Sequence, residues 1–168
     1  MDLMQIHNLL DAGIHSTTLL DWKAKGRIRY LGITHYTASA YAEVETWLDT
    51  GKFDFLQINY SLAERHSETR LLKICMERNV AVIINRPFAE GALFRRVRGR
   101  PLPGWAGELG IASWAQYFLK WILGHPAVTC VIPGTGKPEH LLDNLAAGTG
   151  PLPDTAQRRR MLEYFESS

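Results

Sequence analysis

Val128-Thr129-Cys130-Val131-Ile132-Pro133-Gly134-Thr135-Gly136-Lys137-Pro138-Glu139-His140-Leu141-Leu142-Asp143-Asn144 contains three kinds of local structure in order. Residues 128–132 form a short apolar run with the character of a buried strand. Gly134 and Gly136 mark a turn, and a helix is predicted over about 138–147. Such a turn frees backbone N–H groups and sets them beside the positive end of the helix dipole. Lys137 and His140 add side-chain donors, so the arrangement suits a phosphate.

The same strand–helix alternation extends upstream. Strands are predicted over residues 3–7, 28–33, 53–59 and 80–84, and helices over about 15–26, 39–50, 67–78 and 111–124. A last helix is predicted over about 154–166. Gly26 and Gly51 stand where helix C-caps belong, and Ser39 suits an N-cap. The first four strands recur about every 26 residues, the length of one βα unit with a right-handed crossover. The strands are nearly all apolar, which predicts a parallel sheet covered on both faces. Residues 88–110 hold five glycines and two prolines and predict a long loop. Five βα units suggest either a doubly wound sheet or part of a (β/α)8 barrel, which needs about 250 residues when whole.

Composition narrows the function classes. The 168 residues are 46% hydrophobic and 21% charged, which is ordinary for a soluble globular domain. A net charge of +2 gives no footing to nucleic-acid or membrane partners. The N-terminal residues have no basic n-region, and with only two cysteines a reducing, cytoplasmic setting is expected. Both thiols, Cys75 and Cys130, are expected in the core. Trp22, Trp47, Trp114 and Trp121 fall at helix positions suited to packing against the sheet. Arg95, Arg96, Arg98 and Arg100 form a basic cluster in the predicted loop. That cluster either faces an anionic ligand or is a solvated surface.

Five segments in fixed order carry a family resemblance. They are Asp2-Leu3-Met4-Gln5-Ile6-His7-Asn8, Gly26-Arg27-Ile28-Arg29-Tyr30-Leu31-Gly32-Ile33-Thr34, Phe55-Leu56-Gln57-Ile58-Asn59-Tyr60-Ser61, Arg86-Pro87-Phe88-Ala89-Glu90-Gly91 and the opening strand–turn–helix. The chain resembles the C-terminal part of an aldo/keto reductase, from the fourth barrel strand onward, over essentially its whole length. The resemblance implies one truncated domain over 1–168 and a partial (β/α)8 barrel of five parallel strands alternating with helices, plus a C-terminal helix. It implies NAD(P)H-dependent reduction of aldehydes or ketones, with NADPH favoured over NADH.

His7 matches the family's catalytic-type histidine. The Tyr, Lys and Asp that accompany it in the family belong to the first three βα units, which are expected to be absent here, so the chain alone is expected to be inactive. By resemblance, Thr34, His35 and Gln57 hold the nicotinamide carboxamide. Asn85, Arg86, Pro87, Phe88 and Gly91 lie along the nicotinamide and pyrophosphate. Pro133, Gly134, Thr135, Gly136, Lys137, His140, Asp143 and Asn144 hold the adenosine 2′-phosphate and adenine. No metal site is expected. Several positions depart from the family pattern. His35 replaces the usual Asn, Asn85 replaces a stacking aromatic, and Gly134, Gly136 and His140 stand where relatives carry Lys or Arg. Three functional outcomes follow: a reductase, a cofactor-binding or inert chain without turnover, and a protein that self-associates through unpaired sheet edges.

Overall fold

The computed structural model describes residues 1–167. Its centre is a five-stranded parallel sheet: β1 (Leu3–Ile6), β2 (Tyr30–Thr34), β3 (Phe55–Asn59), β4 (Ala81–Asn85) and β5 (Val128–Val131). The strands lie side by side in sequence order, β1-β2-β3-β4-β5. That order decides between the two architectures. Right-handed crossovers between consecutive neighbours put every helix on the same face, giving an arc of barrel, whereas a doubly wound sheet must reverse direction.

The helices are α1 (Ala12–Ala24), α2 (Tyr41–Asp49), α3 (Leu71–Arg78), α4 (Ala92–Arg96), α5 (Trp114–Leu123), α6 (Pro138–Ala146) and α7 (Thr155–Glu166). Gly26 and Gly51 take positive φ (70° and 68°) just past α1 and α2, where a residue without Cβ is least strained. Ser39 does not cap a helix. It lies in a single 3-10 turn, Ala38–Ala40, and its hydroxyl bonds Thr37 Oγ1 at 3.2 Å. Asp154 and Gln157 close a capping box at the start of α7.

The core lies between the sheet and this single helical layer. Leu31, Ile33, Leu56, Ile58, Val82 and Ile84 are all 0% exposed, and they pack with Val44, Leu48, Leu72, Phe118 and Ile122 of the helices. The alternate residues face the other way. Phe55, Gln57, Ala81 and Ile83 are only half-buried, and Cys130 is exposed. The expectation that both faces are covered therefore holds for one face only. Cys130 belongs to the uncovered face, and its expected burial is corrected, whereas Cys75 is in the core.

The segment predicted as a long loop is packed rather than open. It contains α4 and a 3-10 turn, Ala106–Leu109, and buries Leu93, Val97, Ala106 and Leu109. Two of its four arginines turn to the C-terminal helix. Arg96 stacks 4.2 Å from the Phe165 ring centroid and Arg100 4.0 Å from that of Tyr164. These two cations stabilise the docking of α7. Trp121 is 2% exposed, and Trp22, Trp47 and Trp114 pack against the core, as their helix positions predict. Lys120 is fully buried and fastens the chain after α6, donating to the carbonyls of Thr149 (2.6 Å) and Pro151 (2.9 Å). Burial lowers the pKa of its ammonium.

Candidate functional site

Register places the site. Thr34 pairs Gln57, Gln57 pairs Ile83, and Ile83 pairs Cys130 across the sheet. Ile6 pairs Ile33, so His7, one residue beyond β1, continues the row beside Thr34. Because side chains alternate along a strand, this row points to the uncovered face. Three polar groups, His7, Thr34 and Gln57, thus stand next to one another at the C-terminal ends of neighbouring strands. That end is where (β/α)8 barrels carry their chemistry.

The hydrogen bonds differ from group to group. Thr34 Oγ1 accepts from the backbone N–H of Asn8 at 3.1 Å and lies 3.4 Å from His7 Nδ1. The side-chain amide of Gln57 has no hydrogen-bond partner among the described residues and is only half-buried. His35 turns its ring inward on its own loop, where Nδ1 accepts from the N–H groups of Tyr36 (3.0 Å) and Thr37 (3.2 Å). That ring nitrogen is therefore committed to the turn. Asn85 crosses the end of β3, its Nδ2 donating to the His35 carbonyl at 3.4 Å, while its buried Oδ1 has no partner. A buried acceptor left without a donor costs free energy and marks a place for a ligand group.

Arg86 follows with φ +50°, a left-handed backbone that a non-glycine residue rarely adopts. Its guanidinium bonds the Tyr36 carbonyl at 3.3 Å, sits 5.3 Å from the Tyr36 ring centroid and pairs with Glu90. The half-buried side chain is thus shared between two loops. A groove of about 450 Å³ runs from Arg86, Pro87, Phe88 and Gly91 across to Ile132 and Gly134. Pro87 is buried beneath it, and Gly91 has φ +82°.

At the far end of the groove the backbone N–H groups of Gly134, Thr135 and Gly136 have no partners among the described residues. Lys137 opens α6, its N–H bonds Thr135 Oγ1 at 3.2 Å, and its side chain has no ion pair among the described residues. Pro133 is half-buried and orients the turn, and Gly134 through His140 are exposed. The predicted strand–turn–helix is present, with three free donors and an unpaired cation.

Beside it lies a cavity of about 350 Å³, lined by Phe88, Phe94, Trp114, Thr135, His140 and Asn144, among others. The Phe88 ring packs 4.9 Å from that of Phe94 and 6.4 Å from that of Phe118 and forms part of the wall of both this cavity and the groove. Asp143 is tied down. One carboxylate oxygen accepts from Ser113 Oγ at 2.7 Å and the other from Gln116 Nε2 at 2.6 Å. Ser113 also caps α5 through the Gln116 N–H. One local signal of this pair is the Ser-x-x-Gln spacing before an apolar helix. Ser113, Gln116, Trp114 and Phe94 were not among the expected site residues. Asn144 is 9% exposed, at the inner edge of the cavity.

A nicotinamide dinucleotide fits what these groups leave unsatisfied. The Asn85 acceptor and the Gln57 amide suit a carboxamide. The three free N–H groups and Lys137 suit phosphate oxygens, and the aromatic-walled cavity suits an adenine.

Sequential parallel strands, a single helical layer and polar strand ends over an uncovered face define an arc of a (β/α)8 barrel. The chain belongs to the aldo/keto reductase family, whose model matches residues 1–159. A relative described as an uncharacterized oxidoreductase, YcsN of Bacillus subtilis, is 29% identical over 152 residues, 84% of this chain and 50% of that one. The NADH-specific methylglyoxal reductase of Escherichia coli is 23% identical over 77% of this chain and 46% of its own length. Among solved structures, an aldo/keto reductase from Klebsiella pneumoniae in complex with NADP and acetate superposes with a TM-score of 0.71 at 22% identity, covering 98% of this chain and 59% of that one. The holo form of an aldo-keto reductase from Bacillus halodurans gives 0.74 at 22% identity, with 98% and 58% covered. The chain thus spans about half the length of the curated relatives it matches. Among the described residues no helix is long and apolar enough to cross a membrane.

Proposed function

We propose that residues 1–168 form one domain that holds the nicotinamide cofactor of a reductase converting aldehydes or ketones to alcohols. The observation that carries this is the set of groups left without hydrogen-bond partners among the described residues: the Gln57 amide and Asn85 Oδ1 at the strand ends, and the N–H groups of Gly134–Gly136 with the Lys137 side chain at the far end of the groove. A bound reduced nicotinamide supplies hydride. The chain's own residues position it: Gln57, Thr34 and Asn85 at the carboxamide, Arg86 and Gly91 along the pyrophosphate, and Lys137 and His140 at the 2′-phosphate. Asn144 faces the adenine, and Asp143 holds α6 in place for it. His35 takes part through its carbonyl, which orients Asn85. His7 presents a ring nitrogen to the substrate oxygen.

None of the chain's tyrosines suits the proton donor beside His7. Tyr41 is buried, and that burial, with Glu64 nearby, pushes its phenol up to about 12. Tyr60 and Tyr117 are buried and bonded to Arg158 and to the Met161 carbonyl. Tyr36 lies under Arg86, Tyr30 opens β2 opposite Leu3 at the end of the sheet away from His7, and Tyr164 lies on α7 under Arg100. The proton donor is therefore assigned outside these residues, and this chain by itself binds cofactor without turnover. NADPH is preferred, because Lys137 and the free N–H groups can neutralise a 2′-phosphate. The NADH-specific relative makes that preference the finer part of the proposal.

Trp114 lines the proposed adenosine cavity, so cofactor binding is read by its fluorescence. Saturable quenching by NADPH, weaker for NADH, with no carbonyl-dependent loss of NADPH absorbance, is the expected result. A folded chain whose emission and calorimetric trace ignore both cofactors would overturn the proposal.

A further inference from the structure

We propose that Thr34 is a positioning residue that fixes the His7 imidazole as the tautomer with a bare Nδ1 and a protonated Nε2. The inference rests on reading His7 as the group that meets the substrate oxygen, and it follows from counting protons. A threonine hydroxyl has one proton to give and two lone pairs to offer. The Asn8 N–H, at 3.1 Å, occupies one lone pair of Thr34 Oγ1. The Thr34 side chain is almost fully enclosed, the residue being 5% exposed. Among the described residues, the one acceptor within reach of its proton is His7 Nδ1, at 3.4 Å.

If Nδ1 carried a proton instead, Thr34 would receive two donors and its own buried O–H would have no acceptor. Leaving a buried donor unpaired is the costlier arrangement. With Nδ1 accepting, the neutral ring must carry its proton on Nε2, and the exposed side of His7 becomes a hydrogen-bond donor. A donor is what a carbonyl oxygen requires. The local backbone supports the arrangement. Asn8 and Leu9 take positive φ (51° and 58°), which folds the chain after β1 back over the end of β2. The assignment also limits what Thr34 can do for a cofactor. Its proton is committed to His7, so it can offer a carboxamide only its second lone pair. The carboxamide oxygen must then be held by a different donor, and the free amide of Gln57 stands one strand away.

The test is long-range ¹H–¹⁵N correlation NMR on histidine-labelled protein at alkaline pH, with His7 assigned by the signal lost in His7→Gln. The wild type is expected to show the pattern of a protonated Nε2 with a bare Nδ1. Thr34→Val keeps the side-chain shape and removes the hydroxyl, and should shift His7 to exchange-averaged signals of both tautomers. Thr34→Ser should restore the wild-type pattern, and Thr34→Ala is the second hydroxyl deletion should Thr34→Val not fold. A protonated Nδ1 in the wild type, or a pattern indifferent to loss of the hydroxyl, would overturn the proposal. The readout needs no cofactor and no turnover. The expected tautomer in a chain that ignores NADPH would therefore remove the cofactor assignment and leave the Thr34–His7 pair standing.

Discussion

The two faces of the sheet are built from the same strands and do opposite work. Toward the helices, Leu31, Ile33, Leu56, Ile58, Val82 and Ile84 are wholly enclosed. One residue along each strand, the side chains are Gly32, Thr34, Phe55, Gln57, Ala81, Ile83 and Asn85, and the half-buried ones among them face open space. On the covered face every methylene removed from water stabilises the fold. On the other face, polar groups with unmet hydrogen bonds contribute little to stability and are free to serve a ligand. A parallel strand that alternates in this way can be altered at one residue for stability and at the next for binding.

The largest expected contrast is between adjacent residues of β3. Ile58→Ala should lower the unfolding free energy by roughly 2–5 kcal/mol, because a fully enclosed side chain leaves a cavity. Gln57→Ala should change it by no more than about 0.5 kcal/mol. Denaturant titrations of the two variants would measure both, and equal losses would erase the distinction between the faces. Gly32→Ala tests a crowded point on the open side. An added Cβ would come within 3.0 Å of Phe55 Cβ and of the Phe55 carbonyl, and 3.1 Å of Gln5 Cγ. The carbonyl belongs to the β2–β3 pairing and cannot step aside, so a loss of roughly 1–3 kcal/mol is expected.

A smaller effect appears with pH. The Tyr41 phenol bonds Asn59 Oδ1 at 3.0 Å beneath the loops, and burial raises its pKa from 10.0 to about 12. A folded-state pKa above the unfolded one gives stability that is whole below pH 10.0 and declines as pH rises toward about 12. Tyr41→Phe should therefore flatten the alkaline limb of a stability–pH curve, and an unchanged limb would contradict the assignment. The smallest effect is chemical rather than energetic. Cys130, on the open face, should react with a thiol reagent in the native protein. Cys75, whose thiol burial pushes up to about 12, should react only on unfolding. Equal native rates would mean that the two faces are equally accessible.

The sequence pattern revealed the strands because their apolar runs and βα spacing are local properties. It also located His7, Gln57 and the 134–137 turn, since a polar residue at a strand end and a Gly-rich turn before a helix are visible without tertiary contacts. What it could not reveal depends on partners far along the chain. Alternation between a covered and an open face is hidden where both carry apolar residues, as Ile83 and Ile84 do, so Cys130 read as core. The roles of Arg96 and Arg100 were hidden because their aromatic partners, Phe165 and Tyr164, lie on α7. Residues 88–110 read as loop from their glycines, although Leu93 and Val97 stand four apart on one face of a turn that the core captures. Asp143 illustrates a third limit. The resemblance assigns it to the adenosine contacts, yet both carboxylate oxygens are spent on Ser113 and Gln116.

The most direct measurement is a calorimetric titration of the wild-type chain and Gln57→Ala with NADPH, run beside a thermal melt of each. A binding isotherm in the wild type is expected, weakened about tenfold in Gln57→Ala, as loss of a hydrogen bond to the carboxamide of about 1.4 kcal/mol predicts, with unchanged melting. Binding that ignores Gln57, or no binding by a chain that melts cooperatively, would contradict the assignment of the open face to the cofactor.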